Sequence, residues 1–69
     1  MRRFEPGDRV EVDIHSGMGL DPLWVPAFVT HPTDAKYGWT AARTCPNSTH
    51  PGISRGPGWE QNEIRWRAA

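Results

Sequence analysis

The side chains best suited to bind a metal are one cysteine and three histidines, spread along a 69-residue chain: His15, His31, Cys45 and His50. Structural zinc sites need four such ligands, which usually come in close pairs such as Cys-x-x-Cys, and catalytic sites often carry His-Glu-x-x-His. Only Cys45 and His50 are near each other in the sequence, and neither motif occurs. We therefore predict no metal site and no bound cofactor.

Cys45 and His50 are also the only pair that suggests nucleophilic catalysis, because a thiol nucleophile needs a neighbouring base and a site for the developing oxyanion. Both lie in residues 45–58, a segment rich in proline and glycine. A chain this short has little room for a pocket of the usual ligand-binding size, about 300 Å³ or more. No phosphate-binding glycine motif is present either. We predict that the protein is not an enzyme.

Arginines are concentrated at the two ends of the chain: Arg2, Arg3, Arg9, Arg65 and Arg67. If the first and last strands pair, these side chains converge beside aromatic residues, a combination that binds single-stranded nucleic acid. Acidic residues are interspersed among them, namely Glu5, Asp8, Glu11 and Glu63. Cross-strand pairs of opposite charge would neutralise the face and stabilise the sheet. We favour the neutralised face, and nucleic-acid binding is the alternative function.

Four tryptophans and one tyrosine are more than a core of this size can enclose, so some of them must reach the surface. Tryptophan and arginine are enriched at the energetic centres of protein interfaces. We predict a noncatalytic protein-interaction module whose contact surface combines the loop 45–58 with five aromatic residues: Trp24, Tyr37, Trp39, Trp59 and Trp66. The partner is a protein of unknown identity. A homodimer is an alternative, and it would supplement a thin core.

Short strands must position these side chains, because no stretch shows helical periodicity. Val10, Val12 and Ile14 alternate with charged residues, which indicates a half-buried strand. The predicted strands are residues 8–14, 24–31, 37–44 and 63–67. Pro26 cannot donate a ladder hydrogen bond, which predicts that the second strand lies at an edge or is bulged or bent at this residue. The predicted core consists of Val10, Val12, Ile14, Val25, Ala27, Val29, Ile64 and part of the tryptophan set.

A single all-β domain over residues 1–69 follows from these elements, with four to five short antiparallel strands and a long loop at 45–58. Because short strands leave exposed edges, closure into a small barrel is expected. Three segments resemble Tudor and Agenet modules, which are SH3-like barrels: Phe4-x-Pro-Gly-Asp-Arg-Val-Glu-Val12, Trp24-x-Pro-Ala27-x-Val29 and Ile64-Arg65. In those modules a Gly-Asp turn opens the first strand and a Trp…Ala-x-Val segment forms the second.

The resemblance implies an aromatic cage that holds a methylated lysine or arginine by cation–π contacts. Trp24, Tyr37 and Trp39 match positions that are aromatic in the family. Residues 13–15 include no large aromatic side chain, and Val25 stands where a second aromatic is common. The cage is therefore incomplete, and we favour the interpretation that these aromatics fill the core and rim of a barrel.

The N-terminal arginines are followed by no apolar run, and no segment has the 18 or more consecutive apolar residues of a membrane span. A single cysteine excludes an intramolecular disulfide framework. These observations predict a cytoplasmic protein with no membrane partner. The excess of arginine over the single Lys36 is typical of a GC-rich genome and suggests a bacterial or phage source.

Overall fold

The computed structural model describes residues 1–68, which form one antiparallel sheet of four strands and contain no helix. The strands are β1 (Arg9–Asp13), β2 (Trp24–Val29), β3 (Ala42–Thr44) and β4 (Ile64–Trp66). Their order across the sheet is β3-β2-β1-β4, so the last strand pairs with the first. The all-β antiparallel prediction is confirmed. The sheet that these strands form is open, and closure into a barrel is not confirmed.

Alternating burial along β1 and β2 separates the two faces of the sheet, as the period-2 pattern predicted. Val10 and Val12 are fully buried, whereas Arg9, Glu11 and Asp13 point to the opposite face. The buried hydrophobic residues are Phe4, Val10, Val12, Val25, Ala27, Val29, Ala42, Trp59 and Ile64. Six of the seven aliphatic residues predicted for the core are therefore confirmed as buried, and Ile14 packs against the cluster while only partly buried.

Pro26 does not mark an edge strand, which corrects the sequence prediction, because β2 lies between β1 and β3. The carbonyl of Pro26 accepts the Cys45 N–H at 2.9 Å, so its ring nitrogen also faces Cys45, just beyond the end of β3. The Cys45 carbonyl is turned away and accepts the backbone N–H and the hydroxyl of Ser48. No ladder hydrogen bond is lost there, so proline is tolerated in a central strand.

The third strand is shorter than predicted, because residues 34–38 form a turn. The Tyr37 N–H donates to Asp34 Oδ2 at 2.6 Å and the Gly38 N–H donates to the Asp34 carbonyl at 2.9 Å. Gly38 has a φ of 77°, which side chains with a Cβ rarely adopt. An Asp side chain that accepts a backbone N–H in this way competes with strand pairing. Regular pairing of β3 with β2 therefore begins at Ala42.

Residues 53–59 run along the outer edge of β3, although no strand was predicted there. Thr44 donates its N–H to the Ile53 carbonyl at 2.9 Å, and bridges join Arg43 to Ser54 and Thr40 to Trp59. Gly58 allows the close approach, since a Cβ there would lie 2.8 Å from the Thr40 carbonyl oxygen. The end of the long loop thus covers a sheet edge. Residues 1–68 contain no apolar helix of the length that a membrane crossing requires.

Candidate binding sites

An open cleft of about 580 Å³ lies beside the turn at residues 34–38. It is lined by His31, Pro32, Asp34, Tyr37, Trp39, Ala41 and Pro57. We call this the Tyr37 cleft. Two of the five aromatic residues predicted for the contact surface, Tyr37 and Trp39, lie in it. The loop 45–58 contributes only Pro57 to this lining.

The local sequence explains how Tyr37 is presented. Asp34 holds the turn from both ends, because its N–H donates to the Trp39 carbonyl at 2.8 Å and its carboxylate accepts the Tyr37 N–H. Tyr37 consequently projects outward and is 68% exposed. The Lys36 ammonium lies 5.1 Å from the centre of its ring, a cation–π distance. The exposed ring can therefore accept a cation on its face.

A second groove of about 380 Å³ adjoins the Tyr37 cleft and shares His31 and Ala41 with it. Its lining includes Phe28, Arg43, Ser54 and Arg55, so the loop 45–58 contributes more to this groove than to the cleft. The two grooves differ in charge: Asp34 stands in the first, and arginines stand in the second.

Trp24 lies away from Tyr37 and Trp39, so the three-residue cage that the family resemblance suggested is not assembled. It occupies the far end of β2, where it pairs with Asp13, and lines neither groove. His31 is seven residues further along, which corresponds to about 20 Å of extended chain. The Arg65 guanidinium covers the Trp24 ring at 4.0 Å, so this cation–π contact is made within the protein.

Trp59 belongs to the core and not to the contact surface, which corrects the expectation that it is exposed. It is 1% exposed, and its indole N–H donates to the Ala42 carbonyl at 3.1 Å. The Arg55 guanidinium stacks 4.5 Å from the ring centre. The bridge to Thr40 places Trp59 beneath the outer edge of β3, a long-range position that its charged and polar neighbours in sequence did not indicate.

Trp66 is 51% exposed at the end of β4, and its ring packs at 4.6 Å from that of buried Phe4. It remains a candidate contact residue, but it is separated from the Tyr37 cleft and contributes to neither groove. The five predicted aromatics are therefore distributed over three surface regions and the core.

The terminal arginines are not gathered on one face. Arg2 lies 5.8 Å from the Phe4 ring and donates its backbone N–H to Gln61 Oε1, whereas Arg65 forms an ion pair with Glu11 at 2.9 Å. Arg9, Arg65 and Arg67 lie on the face of the sheet opposite the core, and Arg3 precedes the buried Phe4. Within residues 1–68, Arg65 is the one member of this predicted group that has an ion-pair partner.

Glu63 is the one carboxyl group with a clear pKa shift in the described part of the chain. Burial by itself would raise its pKa, but hydrogen bonds from the Ser16 hydroxyl, the Glu60 N–H and Arg55 outweigh burial and lower the pKa below the usual 4.5. The Arg55–Glu63 contact is 2.7 Å long, and the Glu60 N–H donates at 2.8 Å. This cluster joins the β1–β2 loop to the chain between β3 and β4.

The nitrogen, sulfur and oxygen ligands considered for a metal are dispersed. Among residues 1–68 no three His, Cys, Asp or Glu side chains are grouped as a metal site requires. Thr44 binds the His50 carbonyl through its hydroxyl, and Cys45 lies 3.8 Å from an Arg67 nitrogen.

No family model, curated protein or solved structure matches this chain.

Proposed function

We propose that the protein is a noncatalytic interaction module that binds an extended segment of a protein partner in the Tyr37 cleft. The observation that carries the proposal is the grouping of Tyr37 and Trp39 with Pro32 and Pro57 in an open cleft of about 580 Å³. Ligand sites are concave, mostly apolar and supplied with a few polar groups. Exposed aromatic side chains contribute most to the energy of protein interfaces.

The polar groups of the cleft indicate what the bound segment carries. Asp34 and His31 stand beside the apolar lining, and Lys36 already places a cation on the Tyr37 ring. A segment with an apolar side chain on Tyr37 and Trp39 and a basic side chain near Asp34 would match both the apolar lining and the acidic group of the cleft. It would displace Lys36 from the Tyr37 ring and replace that cation–π contact with apolar packing on the same ring.

We interpret the fold as an SH3-like barrel related to Tudor and Agenet modules. Pairing of β4 with β1 and coverage of β3 by residues 53–59 support this interpretation, because the chain between them spans the opening of the sheet. The quoted sequence segments support it too. The proposal places the module in the cytoplasm of a bacterium or of a phage-infected cell.

The test is a selection of displayed random peptides on the immobilised protein, followed by titration of the synthesised peptide with the NMR shifts of the backbone amides and of the Trp39 indole N–H as readouts. Tyr37→Ser removes the most exposed wall of the cleft, so we expect at least a tenfold loss of affinity. Leu20→Ser is the matched control, because Leu20 is 56% exposed in a different loop. Equal loss in both variants, or shifts confined to residues outside the cleft, would contradict the proposal.

Two further arms separate the alternatives. A trimethyl-lysine peptide that shifts the Tyr37 and Trp39 resonances and not Trp24 would indicate a two-residue cage. Light scattering at increasing concentration tests the homodimer, with Trp66 as the exposed aromatic at the end of β4. A strict monomer eliminates the homodimer and leaves binding to another protein.

A further inference from the structure

The outer face of the sheet, opposite the core, carries three arginines in one row: one on β3, one on β1 and one just past the end of β4, with Phe28 on β2 between the first two. Phe28 is the β2 partner of Arg9 and also the β2 partner of Arg43 on β3. The Arg67 N–H donates to the Arg9 carbonyl at 3.3 Å, which continues the Val10–Trp66 register past the end of β4. Arg43, Phe28, Arg9 and Arg67 therefore occupy neighbouring backbone positions, and the Arg67 guanidinium extends to Cys45 Sγ at 3.8 Å. We call this set the arginine row.

The arginine row lacks the neutralising partners that its neighbours have. In the adjacent row, Glu11 lies between Pro26 and Arg65 and forms an ion pair with Arg65 at 2.9 Å. In the part of the chain that the structure describes, no carboxylate forms an ion pair with any arginine of the row.

Two further carboxylates, at the two ends of β1, accept backbone N–H groups. Asp13 Oδ1 accepts the backbone N–H groups of His15 and Leu23, each at 3.0 Å. Asp8 Oδ2 accepts the Glu5 N–H at 2.8 Å. Like charges on directly opposed strand positions destabilise a sheet. The opposed Arg9 and Arg67 thus contradict a local rule of sheet stability, as functional surfaces often do.

We propose that the arginine row binds the phosphate backbone of single-stranded nucleic acid. Adjacent strands are about 4.8 Å apart, so the row extends about 14 Å across the sheet. Arginine recognises phosphate through its planar fork of donors. Phe28 is half-buried, lies between the strand positions of Arg9 and Arg43, and offers a ring on which a base can stack. Base stacking requires unpaired bases, which selects a single strand over a duplex.

This site goes beyond the proposed function: Phe28 and Arg43 line the second groove, which adjoins the Tyr37 cleft, whereas Arg9 and Arg67 lie on β1 and just past the end of β4. The cleft presents Asp34 with aromatic and proline side chains, whereas the row presents arginines. It also differs from the set of terminal arginines that the sequence suggested. Arg43 enters the site because β3 pairs with β2, and Arg2 and Arg3 leave it because they precede β1.

The experiment measures fluorescence anisotropy of fluorescein-labelled oligo(dT) with the full chain at increasing salt. Single strands give a slope of log K against log salt of about −0.7 for each neutralised phosphate. Three arginine contacts predict a slope of about −2, and an affinity roughly 20-fold weaker at about 200 mM than at 50 mM salt. No detectable binding at low salt would overturn the proposal.

Variants locate the site. Arg9→Gln with Arg43→Gln should reduce the slope to about −0.7, so that affinity falls only about threefold over the same salt range. Arg3→Gln is the matched control, since Arg3 is an exposed arginine outside the row, and its slope should equal that of the unmodified chain. If Arg3→Gln reduced the slope as much as the double variant does, the assignment of the site to the arginine row would be overturned. Arg9→Lys with Arg43→Lys keeps the positive charge at both positions. Retained oligo(dT) binding by this variant would show that substitution at these positions leaves the sheet intact.

A second readout distinguishes nucleic acid from other polyanions. Phe28→Leu keeps the apolar packing and removes the stacking surface, and we expect at least a fivefold loss of oligo(dT) affinity. Polyglutamate and phosphatidylserine vesicles serve as competitors. If either competitor displaced oligo(dT) when its concentration of negative charge equalled that of the oligo(dT), the assignment to nucleic acid would be overturned. Weak displacement by both competitors would support the assignment.

Discussion

Two arginine–tryptophan pairs in this protein have the same chemistry in different surroundings. Arg55 lies 4.5 Å from the Trp59 ring and forms an ion pair with Glu63 at 2.7 Å. Arg65 lies 4.0 Å from the Trp24 ring and forms an ion pair with Glu11 at 2.9 Å. The distances are so similar that they cannot distinguish the two clusters. Solvent exposure distinguishes them.

The first cluster is largely removed from water, because Trp59 is 1% and Glu63 7% exposed. In the second cluster the Arg65 side chain is 48% exposed and Trp24 is half-buried. Water screens charges and hydrates the exposed guanidinium, so an ion pair at a surface contributes little to stability. The comparison teaches that the same three residue types make a structural cluster in one place and a surface feature in another.

The largest expected effect comes from Trp59→Ala, which would leave a cavity under β3 and an unpaired Ala42 carbonyl. Removal of a buried tryptophan costs about 3–5 kcal/mol. Urea denaturation monitored by circular dichroism measures the change. Trp24→Ala is the matched variant, and we expect it to cost about 1 kcal/mol. Similar costs for the two variants would show that burial does not separate the clusters.

Glu63→Gln should reduce the free energy of unfolding by about 2 kcal/mol, since it removes the charge that Arg55, Ser16 and the Glu60 N–H satisfy together. Ser16→Ala removes a single partner of the same carboxylate and should cost less. Urea midpoints of both variants and the unmodified chain provide the measurement. If Glu63→Gln left the free energy of unfolding unchanged, the cost of desolvating the Glu63 carboxylate would cancel the stabilisation from these contacts.

The acid limb of the stability curve depends on Glu63. Its pKa is lower in the folded protein than the 4.5 of the unfolded chain, so its stabilising contribution is complete above about pH 4.5. That contribution is lost as the pH falls below 4.5 and through the lowered folded pKa. Unfolding free energies measured from neutral pH to pH 3 should therefore decline less steeply for Glu63→Gln. Parallel curves would exclude a role for this carboxylate.

The smallest expected effect is that of Glu11→Gln, which removes the exposed ion pair with Arg65. We expect a change of about 0.5 kcal/mol or less in the free energy of unfolding. A double-mutant cycle with Arg65→Gln isolates the pair from the effect of each single substitution. A coupling energy as large as that between Glu63 and Arg55 would contradict the proposed difference between the clusters.

Much of the sheet could be predicted from local patterns. Alternation in β1 and β2 identified the buried side of each strand, and Val10, Val12 and Val25 are buried as expected. The extent of β3 could not be predicted, because Asp34 forms a turn in place of the first residues of the expected strand. The edge position expected from Pro26 was also wrong, because β2 lies inside the sheet. The proline is tolerated there because it faces Cys45, just beyond the end of β3.

The candidate sites were predictable only in part. Tyr37 and Trp39 were predicted as contact residues from their type. Pro57 comes from the other side of β3, so its place in the cleft requires the loop to fold back along the strand. Arg43 was missed for the same reason, because its neighbours Phe28 and Arg9 are brought to it by strand pairing.

By itself the sequence determined the strand character of the chain, which side chains alternate between the two faces, and which residue types reach the surface. These properties depend on neighbours within a few positions. Tertiary structure alone decided which tryptophan is buried, which arginines have carboxylate partners and which residues share a cleft. Each of those properties depends on contacts between segments that are distant in sequence. The energy of each contact depends on how far its groups are exposed to water, and that exposure is known only after the segments have packed.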